Sequence, residues 1–441
     1  MMQFSKNKSH QYFFFLLVSI YVFFNGGNSN LLIQFNFLLV SFFFIFCLKD
    51  KNYNLHFKYF IKQNKWSVYC YILFLFYLLF QILPLPIDLI KFFSPEKYNY
   101  LISLNPEFYF TSISLAPTNS FFQLLNFCTM LIFILILKMI FYKKSHKNRF
   151  YLFLSIIGFL AAFIGAFFYL SGITNMLTFE NYTDVSVSSS FFVNRNVFSI
   201  FLLFCLVSSI EYLKYSKNYE KNFMITIYVR FFIIFITIGL ITTFSRIGNF
   251  LLLNTMLIYF INIIFFEKKK NLIFKNIIYT IIIFDIFILG IYFGSTRIID
   301  RYSFLINEFS EITNTDINIS RLQIIKFSFY QAYKYLFFGY GPGSFEILFQ
   351  IKFPNLESAY ANHAHSDLIQ FIGEFGLIGF ILLVFSFSKI FFKSKNYNLI
   401  SFLLLFYLLI ILFFDFSLHI PIIQFLFIVF FILNQRFIKL S

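Results

Sequence analysis

Two histidines and a carboxylate stand together in the segment Asn362-His363-Ala364-His365-Ser366-Asp367. Imidazole exchanges a proton near neutral pH, and a neighbouring carboxylate can orient it or raise its basicity, so the cluster suits a general base acting on a hydroxyl. The same pair is half of a metal site, but loop histidines two residues apart, with no third strong ligand nearby, are a weak metal signature. A loop histidine also serves simply as a hydrogen-bonded surface group. The second set of reactive groups is cationic. Arg195, Arg246, Arg297, Arg301 and Arg321 lie where polar loops meet apolar segments. Guanidinium groups grip phosphate oxygens in a planar, two-pronged geometry, and a low-dielectric surrounding strengthens the contact. A phosphorylated lipid fits such a set, while each arginine alone equally suits an interfacial anchor. Gly339-Tyr340-Gly341-Pro342-Gly343 lacks the GxxxxGK[ST] spacing of a nucleotide-phosphate loop, so its glycines are expected to end a helix and permit positive φ.

These groups must be positioned by membrane elements. Apolar residues make up 59% of the 441 and charged ones 12%, and the apolar residues come in runs of about 18 or more, long enough to cross a bilayer. That excludes a soluble fold. The net charge of +16 is spread between hydrophobic segments rather than gathered on one face, which excludes a nucleic-acid partner. The 77 phenylalanines accompany abundant Ile, Lys and Asn, a genome-wide compositional bias and not a binding surface. Cys47, Cys70, Cys128 and Cys205 sit in apolar stretches without redox or metal spacing and are read as structural. Spans are expected at 11–25, 31–48, 66–83, 119–142, 150–172, 197–213, 223–243, 247–266, 276–295, 372–392, 398–415 and 421–434. The fold class is therefore all-α, one polytopic domain over 1–441 with about twelve membrane helices. Lys6 and Lys8 precede the first span without a small-residue cleavage site, so it reads as uncleaved. Lysines cluster at 49–65, 143–147, 268–270 and 393–395, which puts those loops and both termini in the cytoplasm. The longest outward loop is then 296–371, and only it is long enough to carry much structure of its own. Within it Ile324, Ile325, Phe327, Phe329, Tyr333 and Leu336 follow Arg321 as the apolar face of an amphipathic interfacial helix. Arg230 and Asp285 fall inside spans, where each needs a partner, and pairing with each other is one solution.

The order of the outward features resembles the O-antigen ligase and polymerase family of bacterial envelope glycosyltransferases over most of the chain. The resemblance is carried by Gln81-Ile82-Leu83-Pro84-Leu85-Pro86, Ile113-Ser114-Leu115-Ala116-Pro117-Thr118, Phe191-Phe192-Val193-Asn194-Arg195-Asn196 and Thr243-Phe244-Ser245-Arg246-Ile247-Gly248. In the long loop it is carried by Ser320-Arg321, by Gly339 through Phe345, and by His363-Ala364-His365-Ser366-Asp367 with Glu374-Phe375-Gly376-Leu377-Ile378-Gly379. Ser188 to Ser190 replace a usual glycine, and Ser366 stands where the family often has Asn. The resemblance implies transfer of a glycan from an undecaprenyl diphosphate carrier to a hydroxyl, on the periplasmic face of the bacterial inner membrane. A lipid A core sugar is the favoured acceptor, ahead of a growing polysaccharide in a polymerase or a protein hydroxyl in an oligosaccharyltransferase. A lipid-linked glycan flippase is the alternative of a different class. In that picture His365 is the general base, His363 positions the acceptor, and Asp367 orients an imidazole. Arg195, Arg246 and Arg321 hold the diphosphate, the displacement inverts the anomeric centre, and no metal or other cofactor takes part.

Overall fold

The computed structural model describes residues 2–104, 109–141, 144–172, 187–216, 223–262 with 265, 321–354, 360–392 and 399–434. The expected span 276–295, Asp285, Arg297, Arg301 and the 296–320 and 355–359 parts of the 296–371 loop lie outside them. In chain order the helices are α1 (Met2–Phe23), α2 (Asn30–Leu48), α3 (Lys51–Gln63), α4 (Lys65–Ile82), α5 (Ile87–Phe93), α6 (Pro95–Leu104), α7 (Pro117–Ile140) and α8 (Lys144–Ser171). They continue as α9 (Arg195–Ser216), α10 (Phe223–Thr242), α11 (Arg246–Ile261), α12 (Arg321–Lys334), α13 (Phe345–Lys352), α14 (Asp367–Phe392), α15 (Leu399–Phe414) and α16 (Pro421–Asn434). The chain is an all-α polytopic membrane protein: among the described residues seven helices are long and apolar enough to cross a bilayer, and α11, α15 and α16 are apolar but shorter. A helical backbone suits that solvent because it satisfies its own hydrogen bonds.

Burial separates the spans. α9 is apolar on all sides and its spanning window is wholly buried, whereas only 28% of the windows of α2 and α4 is buried. The serines of α9 do not break it, because Ser199, Ser208 and Ser209 donate to the helix's own carbonyls at 2.7, 2.8 and 2.9 Å. Helices α8, α10, α11 and α16 surround it. Phenylalanine rings fill the core edge to face, as where Phe204 meets Phe427 and Phe74 meets Phe375, an arrangement that matches the positive ring edge to the negative face.

Helix α14 is broken near its start. Gly376 has φ 65 and ψ 174, and the carbonyls it frees are taken up from outside the helix. Tyr340 N–H donates to Gly373 O at 2.9 Å and Gly341 N–H to Glu374 O at 3.0 Å, while Leu377 N–H reaches Leu336 O at 2.7 Å. Gln81 and Tyr77 of α4 close the same gap on Phe338 O, Glu374 O and Phe375 O. A Cβ on Gly376 would stand 2.3 Å from Phe337 O, and one on Gly339, at φ 74, would stand 2.3 Å from Glu374 O. These two glycines therefore serve a backbone-to-backbone contact between the end of α12 and α14.

Two features differ from the sequence expectation. Residues 84–118, expected to carry little structure, form a small cap in which the strands Leu85–Pro86 and Phe110–Thr111 pair antiparallel around α5 and α6. Docking holds these short pieces: the buried Lys97 donates to Ser112 O and Ser114 O at 2.6 and 2.7 Å, and Glu96 pairs with Lys334 and Lys352. On α12 the buried stripe is Ile324, Ser328, Gln331 and Ala332, while Phe329 and Tyr333 are 66% and 71% exposed. The helix packs on α14 and turns these two aromatic residues outward.

Candidate active site

Several connections meet at one end of the bundle, joined by hydrogen bonds between elements distant in sequence. Val193 N–H donates to Asn25 Oδ1 at 2.9 Å and Ser188 N–H to Thr242 O at 3.0 Å. Ser245 Oγ donates to Asn196 Oδ1 at 2.9 Å, and Asn196 Nδ2 donates to Asp415 Oδ1 at 3.1 Å. The second oxygen of Asp415 accepts from Ser417, and its backbone carbonyl accepts from Asp367 N–H at 2.8 Å. The three arginines flank this chain of contacts. Arg195 opens α9 beside Asn196, Arg246 opens α11 beside Ser245, and Arg321 opens α12 within electrostatic reach of Asp415 and His365. A helix N-terminus carries a partial positive charge, which adds to each guanidinium in favouring an anion.

The histidines face the same end. His363 lies flat on Phe416, centroids 4.6 Å apart, and His365 meets that ring edge-on at 5.3 Å. Gln370 settles the state of His363. Its Oε1 accepts from Ala364 N–H at 2.9 Å, so its Nε2 is the donor, giving one hydrogen to Glu374 at 2.9 Å and the other to His363 Nδ1 at 3.4 Å. His363 Nδ1 is then an acceptor and its proton sits on Nε2, a tautomer assigned from the network. Burial pushes the His363 imidazole down to about 3, helped by His419 and His365. Burial and then the Arg321 charge push His365 down to about 4. Both rings are thus neutral at physiological pH. His365 adopts φ 56, a left-handed conformation uncommon outside glycine, and its buried Nδ1 has no hydrogen-bond partner.

Asp367 was expected to orient an imidazole, and the one it holds is that of His419. Asp367 Oδ1 bonds His419 Nδ1, and Oδ2 accepts from Leu418 N–H at 2.8 Å. Among the described residues neither His363 nor His365 bonds a carboxylate. The reason is geometric: Asp367 is the first residue of α14 and points toward the 3-10 turn Ser417–His419, away from the loop before it. Sequence reasoning missed His419, Asp415 and Glu374 as members of the cluster. A signal was available in Asp415 and His419, both polar groups in an otherwise apolar stretch between α15 and α16. Of the other intramembrane charges, Arg230 has a buried Nε without a hydrogen-bond partner, and Asp285 is outside the described residues.

Below the polar cluster lies an apolar cavity of about 340 Å³ between α7, α14, α15 and α16. Phe371 and Leu418, which flank His419, form part of its lining.

Residues 231–384 match the family model described as O-antigen ligase. The matched segment holds Arg246, Arg321, His363, His365, Asp367 and Glu374, whereas Arg195, Asp415 and His419 fall outside it. The match supports the O-antigen ligase family for this chain. No curated protein matches the chain.

Proposed function

We propose that this membrane protein, with its O-antigen ligase family match, transfers a glycan from undecaprenyl diphosphate to a hydroxyl acceptor, with a lipid A core sugar the favoured acceptor. The observation that carries the reading is the buried, unpartnered Nδ1 of His365 beside the Arg321 guanidinium. An orphaned imidazole nitrogen fits a substrate hydroxyl, and the adjacent cation fits a departing phosphate.

In this reading Arg195, Arg246 and Arg321 hold the diphosphate and make it a competent leaving group. His365 takes the proton of the acceptor oxygen as that oxygen attacks the anomeric carbon from the face opposite the lipid. Single displacement inverts that centre and needs no covalent intermediate. The low basicity of free His365 is part of the scheme. The diphosphate neutralises Arg321, which removes the charge that opposes protonation and makes the ring a better base only when donor is bound. His363, with its proton on Nε2, can donate to the acceptor or to a phosphate oxygen. The apolar cavity under the cluster suits a polyprenyl chain. In this reading the site faces the periplasm, since the lysine-rich segments are assigned to the cytoplasm.

Purified protein supplied with lipid-linked glycan and acceptor tests the roles. His365→Ala is expected to abolish transfer while the protein stays in the membrane, and near-normal transfer would remove His365 as the base. Arg246→Ala is expected to weaken donor binding, and unchanged donor affinity would make Arg246 an anchor. A deletion strain tests the acceptor: long chains stranded on the carrier indicate a ligase, and single repeats a polymerase.

A further inference from the structure

His419 is a buried ionisable side chain near the site that the proposed chemistry does not use. It is 6% exposed, between Asp367 at 0% and Glu374 at 1%. Its Nδ1 bonds Asp367, its ring stacks on Phe371 at 4.3 Å, and its buried Nε2 makes no hydrogen bond but lies at ion-pair distance, 3.6 Å, from Glu374 Oε2. An imidazole whose two nitrogens both face carboxylate oxygens needs a proton on each to serve both. Two buried carboxylates likewise need a cation between them. The ring of His363 is 5.4 Å away, centroid to centroid. The amide of Gln370 links the two sites, since it donates to both Glu374 and His363.

We propose that His419 is a positioning residue, an imidazolium clamped between Asp367 and Glu374 that ties the turn after α15 to α14 and keeps the neighbouring His363 neutral, with Nδ1 free of a proton and accepting from Gln370. The inference deepens the glycan-transfer reading and rests on it for its functional meaning. The charges around the clamp come from every packed element. Asp367 and Glu374 belong to α14, Asp415 to the segment after α15, Arg321 to α12 and Tyr340 to the glycine turn. Burial opposes a charge on His419, but the two carboxylates outweigh it and raise its pKa well above the ordinary imidazole value. The same positive charge opposes a second proton on His363, whose pKa is lowered by burial and then by His419.

The test needs no substrate. The full chain carries six histidines, and nitrogen-15 labelling of their rings in detergent micelles or nanodiscs reads each protonation state by NMR. One ring is expected to keep both nitrogens protonated above about pH 8 and to vanish in His419→Asn. That variant retains an amide able to donate to Asp367 but carries no charge, so His363 should become protonated about one pH unit higher than in the wild type. A His419 that is neutral at pH 8, or a His363 titration unmoved in the variant, would overturn the proposal. If His419→Asn does not fold, Glu374→Gln serves instead. Loss of one carboxylate should lower the pH at which His419 releases its proton, and no change would count against the clamp. Loss of glycan transfer by wild-type protein would refute the functional reading alone, because the NMR result stands without it. Where transfer is measurable, the acid limb of its pH profile should rise by the same unit in His419→Asn, whereas a merely structural residue would lower the rate equally at every pH.

Discussion

Two turns carry the candidate site, and they are held by different physics. The turn before α11 places Phe244 at φ 47 and then Arg246, and the loop before α14 places His365 at φ 56. Both store backbone strain next to a proposed site residue. The first is restrained by neutral hydrogen bonds. Ser245 Oγ accepts from Gly248 N–H at 3.1 Å and donates to Asn196, and Thr243 Oγ1 accepts from Ser245 N–H at 3.1 Å. The second is restrained by ions, because its outer wall is the Asp367–His419–Glu374 clamp. A guanidinium stays charged at all working pH values, so its mount need not titrate. An imidazole that must stay neutral inside a protein needs a controlled electrostatic surrounding. The difference predicts that sensitivity to charge and pH belongs to the histidine side alone.

Breaking the clamp should have the largest effect. Asp367→Ala leaves His419 charged without its closest partner and should cost about 3–5 kcal/mol of stability, the usual range for a broken buried pair. Thermal unfolding in detergent reads this, and a loss smaller than that of Ser245→Ala would reverse the comparison.

The pH dependence of stability comes next. His363 and His365 have folded values of about 3 and about 4, below the ordinary 6.5. Between those limits the unfolded chain binds protons that the folded chain does not, so stability falls as pH drops through that window. His419 has the opposite sign. Its raised value means a contribution fully present below 6.5 and lost as pH rises through the folded value. Melting temperature followed against pH should therefore fall on both sides, and His419→Asn should remove the alkaline fall. Persistence of that fall in the variant would assign it to another group.

The smallest effect is expected at the neutral turn. Ser245→Ala removes a helix N-cap, worth about 1 kcal/mol, and should shift the whole pH curve down without changing its shape. A changed shape would show that the two turns are coupled through Asn196 and Asp415.

Local physics set much of this molecule. Runs of apolar residues specify membrane helices whatever their neighbours, because a buried backbone must bond to itself. The described membrane helices accordingly lie close to where hydrophobicity put them, from Asn30–Leu48 to Pro421–Asn434, whereas α3, α5, α6 and α13 were not foreseen. Ser245 ahead of Arg246 is a cap that a sequence can announce, and the glycines at 339, 341 and 343 do adopt positive φ. Pairing across the fold was another matter. Asp367 stands two residues from His365 yet bonds His419, 52 positions along the chain. Gly376 interrupts a continuous apolar run, and the carbonyls thus exposed bond to the residues around Gly339. The face of α12 that is buried carries Ile324, Ser328, Gln331 and Ala332 and leaves Phe329 and Tyr333 exposed, so it does not follow the distribution of its aromatic residues. Hydrophobic periodicity depends on near neighbours and is readable from them. The partner of a buried charge depends on which helix ends the packing brings together, and that was decided only in three dimensions.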